Sequence, residues 1–237
     1  MKFRSRALFV AVLVLALVRP NASAASDPEI DRLIKKLPAP EKLVKPDERV
    51  WRMTDAAMRD PLVKEIEQAS KTKQFKRGME LTRQLTARYA ASASAHALHG
   101  LYAEALHHDE EAIAAFRKAV ALQPKFALCH FGIAATEYKR GHYAAALPHI
   151  RRVTELEPQA ASGWAVRSMC AQAVGQRQEG LTAARRLIAL APRQPAAWVR
   201  LAEAERSVGN YAEASRAMHR AVNVARAART GASKKKV

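Results

Sequence analysis

ALCHFGIAATEYKRGHYAAALPHIRRVTELEPQA, residues 127–160, decides the fold. It reads as two amphipathic helices joined by a tight turn at Gly141, with Tyr143 two places after the glycine, Ala146 five places after it, and Pro158 closing the unit. The same punctuation recurs along the chain. Pro124, Pro158 and Pro192 stand 34 residues apart, and so do Gly141, Gly175 and Gly209. Two independent ladders on one period mark an internal repeat. One helix hairpin cannot bury its apolar side alone, so successive hairpins must stack.

Stepping by that period aligns four full units. The first holds His96, His99-Gly100, Ala103, Ala112, Phe116, Ala119 and Pro124, and the second His130, Ile133-Ala134, Glu137, Ala146, Ile150, Val153 and Pro158. The third holds Trp164, Arg167-Ser168, Ala171, Gly180, Ala184, Leu187 and Pro192, and the fourth Trp198, Leu201-Ala202, Glu205, Ala214, Met218, Ala221 and Arg226. A weaker unit, Arg59–Ser92, precedes them with Leu62, Ala69, Phe75, Gly78 and Leu85. This pattern resembles the tetratricopeptide repeat, whose places call for Trp, Leu-Gly, Tyr, Ala, Phe, Ala and Pro. The resemblance implies an all-α, right-handed α-solenoid of about five helix-turn-helix repeats, at 59–92, 93–126, 127–160, 161–194 and 195–228. It identifies a fold far better than a function, because such repeats serve many partners.

The termini read differently. MKFRSR is basic, Ala7–Val18 is an uncharged apolar run of twelve residues, and Ala22-Ser23-Ala24 offers a small-residue cleavage pattern. The expectation is a secretory signal peptide over 1–24, cleaved after Ala24, and an exported, periplasmic protein without a transmembrane segment in its mature form. Residues 25–58 form an N-terminal helical and linker segment. Ile30, Leu33, Ile34 and Leu37 fall at helical spacing, Pro38-Ala39-Pro40 ends that helix, and the segment either caps the stack with Trp51 or acts as a tether that docks on a partner or folds back into the groove. Residues 229–237 read as a disordered basic tail ending in Lys234-Lys235-Lys236.

Net charge is +18; Lys2, Arg4, Arg6 and Arg19 supply four of these, which leaves +14 after cleavage. That excess favours anionic partners, and export argues against nucleic acid among them. Cys129 and Cys170 lie seven residues out of step within the repeat, about 10 Å along parallel helix axes at about 1.5 Å per residue. A bridge needs Cα atoms within about 7 Å, so two free, buried thiols are expected.

Several local expectations follow. Asp60-Pro61 opens the first repeat as cap and first-turn proline. Glycine at the inter-helix turn supplies a left-handed residue, and Lys73 and His107, which replace it, make poorer turns. Ala112, Ala119, Ala146, Ala214 and Ala221 are small where paired helices approach. Pro148 lies near the start of a second helix, where the early donors are unpaired, so its cost is expected to be low. The last helix runs from Tyr211 to about Arg229, with Arg220, Arg226 and Arg229 giving it a polar face.

By analogy with the family, first-helix residues line a concave groove. Here the set is Leu101, Leu128, Phe131, Tyr138, Lys139, Met169, Val199 and Arg206, an apolar surface suited to an amphipathic helix or extended apolar peptide. Glu104 belongs to the same row. Ala97, Leu101, Leu128 and Ala165 do not match the Lys and Asn of the family's carboxylate-clamping site. A second ladder, Arg117, Lys118, Arg151, Arg152, Arg185, Arg186 and Arg220, repeats every 34 residues on the second helices as a basic stripe. The eight histidines include His96, His99 and His130 at packing places, so core use is expected and no metal site. No catalytic triad, phosphate loop or metal-binding pair appears, so no enzyme activity and no cofactor are expected. The functional expectation is a non-enzymatic protein- or peptide-binding scaffold of the cell envelope. Its alternative is a basic protein that associates with anionic envelope polymer or lipid through the stripe and tail.

Overall fold

The computed structural model describes Met53 and residues 55–233, with side chains through Ala227. The signal peptide, the helix expected at Ile30–Leu37, Trp51 and the Lys234–Lys236 tail lie outside the described residues. A short 3-10 turn, Ala56–Arg59, is followed by α1 (Leu62–Lys71), α2 (Phe75–Arg88), α3 (Ala93–Ala105), α4 (Asp109–Leu122), α5 (Ala127–Lys139), α6 (Tyr143–Leu156), α7 (Ala161–Ala173), α8 (Arg177–Leu190), α9 (Pro195–Ser207) and α10 (Tyr211–Ser233). The period of 34 is carried by the helices themselves: α3, α5, α7 and α9 begin at 93, 127, 161 and 195, and α2, α4, α6, α8 and α10 at 75, 109, 143, 177 and 211. The class is all-α, built of helix-turn-helix hairpins in tandem. The helices fall into two compact units, one ending at Pro158 and one beginning at Gln159.

The turns show why one residue per repeat matters. Gly141, Gly175 and Gly209 sit at φ between 79° and 86°, and Lys73 and His107 are forced to φ 57° and 60° at the same register. A left-handed L-residue costs about 1 kcal/mol that glycine does not incur. His107→Gly is therefore expected to stabilise the protein by about 1 kcal/mol, read as an upward shift of the urea midpoint; no shift would mean the histidine recovers the cost elsewhere.

The first unit contains three hairpins, α1/α2, α3/α4 and α5/α6. At its start the Asp60 Oδ1 accepts the Leu62 N–H at 2.9 Å and its Oδ2 accepts from Arg88 at the far end of α2, 2.6 Å away, while Pro61, expected as the first helical residue, stands at the N-cap one place earlier. The Leu62 amide, and then the Arg88 guanidinium, hold this carboxyl below the usual aspartate range. The Ser92 hydroxyl caps α3 by accepting the Ala95 N–H, and donates to Asp55, which also accepts from the Ser94 amide. Two aromatic rings fill the interior. Tyr102 is buried with its hydroxyl donating to the Ile66 carbonyl at 2.5 Å, and its ring lies where a Cβ on Gly78 would stand, 1.9 Å from the nearest ring carbon. Phe116 is wholly buried between Gly100 of α3 and Gly132 of α5; a Cβ on either would come within 2.6 Å of the ring.

Pro148 departs from expectation. It is the sixth residue of α6, beyond the unpaired donors of the first turn, so it removes a hydrogen bond to the Ala144 carbonyl inside the helix.

The second unit contains α7/α8 and α9/α10. Its core is alanine-rich: Ala161, Ala165, Leu187, Ala191 and Ala197 form one cluster with Trp164, and Val199, Ala202, Ala217, Met218 and Ala221 another with Trp198. The Ser168 hydroxyl donates to the Gly180 carbonyl at 2.8 Å, and a Cβ on Gly180 would stand 3.3 Å from the Ser168 carbonyl oxygen, so α7 and α8 approach closely there. α10 continues four residues past the expected end, to Ser233. In both units the expected small residues, Ala112, Ala119, Ala146, Ala214 and Ala221, are buried. Cys129 and Cys170 are free and buried, and burial raises both thiols well above the ordinary value, Cys170 to about 12.

Candidate protein-binding site

In the first unit α3 and α5 pack side by side as consecutive first helices. Leu101, Leu128 and Phe131 are all buried, at 5 %, 2 % and 1 % exposure. Tyr138 is half-buried at the C-terminal end of α5, with its ring edge-on to Tyr143 across the Gly141 turn, centroids 5.2 Å apart. Lys139 follows it and binds Glu104 of α3 through Nζ and Oε1, tying the two first helices together. Glu104 is buried, and burial raises its carboxyl above the ordinary glutamate value, partly offset by Lys139. Its second oxygen, Oε2, is buried without a hydrogen-bond partner among the described residues.

In the second unit Met169 is buried on α7, Val199 belongs to the core cluster between α9 and α10, and Arg206 is half-buried in the last turn of α9. Arg167, two residues before Met169, is held by Glu179 at 2.8 Å and lies over the Trp164 ring.

The basic ladder divides into two kinds of residue. In its first column, Arg117 pairs with Glu137 of the next repeat at 3.6 Å, and Arg185 pairs with Glu205 at 2.9 Å. Both carboxylates are buried, and each also takes a donor from its own turn: His142 Nδ1 at 2.9 Å for Glu137, Asn210 Nδ2 at 2.8 Å for Glu205. These arginines clamp one repeat to the next. In the second column, Lys118 and Arg186 are exposed, Arg152 pairs with Glu155 on its own helix, and Arg220 lies over the Trp198 ring. Arg151 is half-buried. The clamps went unread in the sequence although a signal was present: Glu137 and Glu205 occupy the family's Tyr place, each 20 residues after its arginine.

The histidines divide in the same way. His96 Nε2 meets the Ala90 carbonyl at 2.9 Å, His130 Nε2 meets that of Pro124 at 3.1 Å, and Trp198 Nε1 donates to Pro192 at 2.8 Å. Each ring thus reaches the carbonyl six residues before it, so histidine does the hydrogen-bonding work of the tryptophan it replaces. With Nε2–H committed to Pro124, His130 Nδ1 is an acceptor, and His149 Nδ1 donates to it across 3.1 Å. His99 links Thr82 at 3.0 Å to Glu111 at 3.2 Å. Among the described residues no three His, Cys, Asp or Glu converge as metal ligands would.

Burial lowers His99, His130 and His149 below the ordinary imidazole value, and the His130 ring adds to the effect at His149. As pH falls below about 6.5, the unfolded chain binds protons before the folded one does, so stability declines from there downward. The urea midpoint should be lower at pH 5 than at pH 7.5, and His149→Phe should shrink the difference; an unchanged difference would show that this pair does not contribute.

The Tetratricopeptide repeat family model matches residues 93–126. No curated protein matches the chain. Solved structures share the fold. MamA (41-end) from Desulfovibrio magneticus RS-1 is 15% identical with a TM-score of 0.67, over 74% of this chain and 98% of that one. A MamA RS-1 double mutant, also 15% identical, gives 0.68 over the same shares. YrrB, described as a TPR protein with an unusual peptide-binding site, is 17% identical with a TM-score of 0.64, over 75% of this chain and 91% of that one. At these identities the likeness is one of fold.

Proposed function

We propose that this tetratricopeptide-repeat chain is a non-enzymatic scaffold of the cell envelope that holds an apolar or amphipathic segment of a protein partner on the first-helix face of its first unit. The observation that carries the reading is the half-buried Tyr138 at the end of α5, packed edge-on to Tyr143 and next in the chain to the Lys139 that ties α5 to Glu104 of α3. Apolar surface with a few placed polar groups is what peptide-binding faces use. The peptide site named for YrrB supports a peptide ligand on this fold. An envelope location rests on the amino-terminal sequence, and no described helix is long and apolar enough to cross a membrane.

The burial of Phe131 decides the choice of test. Phe131→Glu would place a charge in the interior and report on folding. Tyr138→Glu changes a half-buried residue instead. Affinity purification from the native envelope with Tyr138→Glu should lose the partner that the unaltered chain retains, while the far-UV circular dichroism stays the same. Equal recovery would count against this face.

A second reading, association with anionic polymer or lipid, draws on the exposed Lys118 and Arg186. The pairing of Arg117 and Arg185 with buried glutamates argues against it by neutralising two of the seven cations of the ladder. Sedimentation with phosphatidylglycerol vesicles that vanishes in high salt would favour it; no sedimentation at low salt would remove it.

A further inference from the structure

We infer that the chain regulates access to its own first-unit face: the amphipathic segment Ile30–Leu37 lies along α3 and α5 and must leave before a partner can bind. The displacement by a partner rests on the function proposed above; the contact within the chain does not.

Over Ala127–Glu137, eleven consecutive residues, α5 is buried on every side. Within its unit it packs against α4, α6 and α3. His130 meets His149 of α6, Gly132 lies against the Phe116 ring of α4, and Glu137 pairs with Arg117 of α4, so both second helices stand behind α5. Lys139 reaches Glu104 and marks the edge beside α3. Leu128, Phe131 and Ala135, at i, i+3 and i+7, form the row on the remaining side. Stacked hairpins leave that row open as a concave surface. Here it is buried, with Ala135 at 0 %, and so is the row one period earlier on α3, where Ala97 is at 0 % beside the buried Leu101. The two rows share a cover.

The chain arrives at this place. The turn Ala56–Arg59 packs on α3, and Asp55 Oδ2 accepts from the Ser92 hydroxyl at 2.7 Å and the Ser94 amide at 2.9 Å, at the start of α3. The residues before Asp55 therefore begin beside the first helices. Among them Ile30, Leu33, Ile34 and Leu37 make one apolar helical stripe, with Asp31, Arg32, Lys35 and Lys36 around it. The connection, residues 38–52, can span up to about 50 Å, whereas α3 and α5, of 13 residues each, are about 20 Å long. The stripe thus reaches both helices from its own chain. The other apolar run, Ala7–Val18, belongs to the leader expected to be removed after Ala24. A tethered stripe competes at high effective concentration, so a partner binds with an affinity reduced by the fraction of molecules whose face is bare.

The test places benzoylphenylalanine at position 34 of the full chain, purified without a partner. Irradiation should give crosslinks within single chains, mapped by mass spectrometry to residues 97–101 of α3 or 128–135 of α5. The same probe at position 32, on the polar side of the stripe, should give none there. No crosslink from position 34, crosslinks only to other helices, or crosslinks only between two chains would overturn the contact. Leu33→Asp combined with Ile34→Asp should then raise recovery of the partner from the native envelope about fivefold. Equal recovery by the unaltered and doubly substituted chains would overturn the regulation and leave the face as a partner site. Crosslinks from position 34 to the face, with no partner recovered by either chain, would support the contact and overturn the function proposed above.

Discussion

Phe116→Ala should lower the stability of the protein by about 4 kcal/mol, the largest loss expected from any single truncation discussed above. The ring is wholly buried and packs against two glycines on different helices, Gly100 on α3 and Gly132 on α5. The backbones of α3 and α5 are held apart by the ring itself. Its removal leaves a hole that can close only if whole helices move, and such sites relax least. Urea denaturation followed by far-UV circular dichroism measures the loss. The converse change, Gly132→Ala, overfills the same space and should cost about 2 kcal/mol. The pair Gly132→Ala with Phe116→Leu should recover part of that, because the two changes share one cavity. Additive losses would show that ring and glycines do not depend on one another.

The second large effect has the opposite sign. Pro148→Ala should stabilise the protein by about 2 kcal/mol. Proline at the sixth position of α6 leaves the Ala144 carbonyl without its helical donor and crowds it sterically, a combination that costs about 3 kcal/mol in a helix interior. The residue is exposed and Ala144 is too, so water reclaims part of the loss and the gain falls short of that figure. Thermal unfolding of Pro148→Ala checks it, and an unchanged or lowered midpoint would mean the helix bends usefully at that point.

The repeat was legible because its signals are local and periodic. Gly141, Gly175 and Gly209 are needed for a left-handed turn, and Ala112, Ala119 and Ala146 for close helix approach; each constraint acts within a few residues and returns every 34. Pro148 was misjudged because, with Tyr143 as the first residue of α6, the sixth place already lies past the unpaired donors of the first turn. The face was harder to read than the fold. Family places identify which residues look inward along a first helix, but they do not say how deeply each is buried. Leu101, Leu128 and Phe131 are buried, Tyr138 is half-buried, and Lys139 pairs with the buried Glu104. The partners of the basic ladder were unreadable for a related reason. Periodicity placed Arg117 and Arg185 correctly on second helices, but their glutamate partners come from the next repeat, and pairing across helices is a tertiary fact.

The Glu–Arg clamps also explain why a chain of such positive charge holds together. Each buried glutamate pairs with an arginine of the preceding repeat and takes a donor from its own turn, so the register between those hairpins is fixed by ionic contacts as well as by packing.

The most direct measurement is photo-crosslinking. A benzoylphenylalanine placed at position 138 of the full chain, activated in the native envelope, should yield one discrete crosslinked protein. The same probe at position 144, on the exposed side of α6, should yield none. Equal crosslinking from both positions, or none from position 138, would contradict the claim that the first-helix face holds a partner.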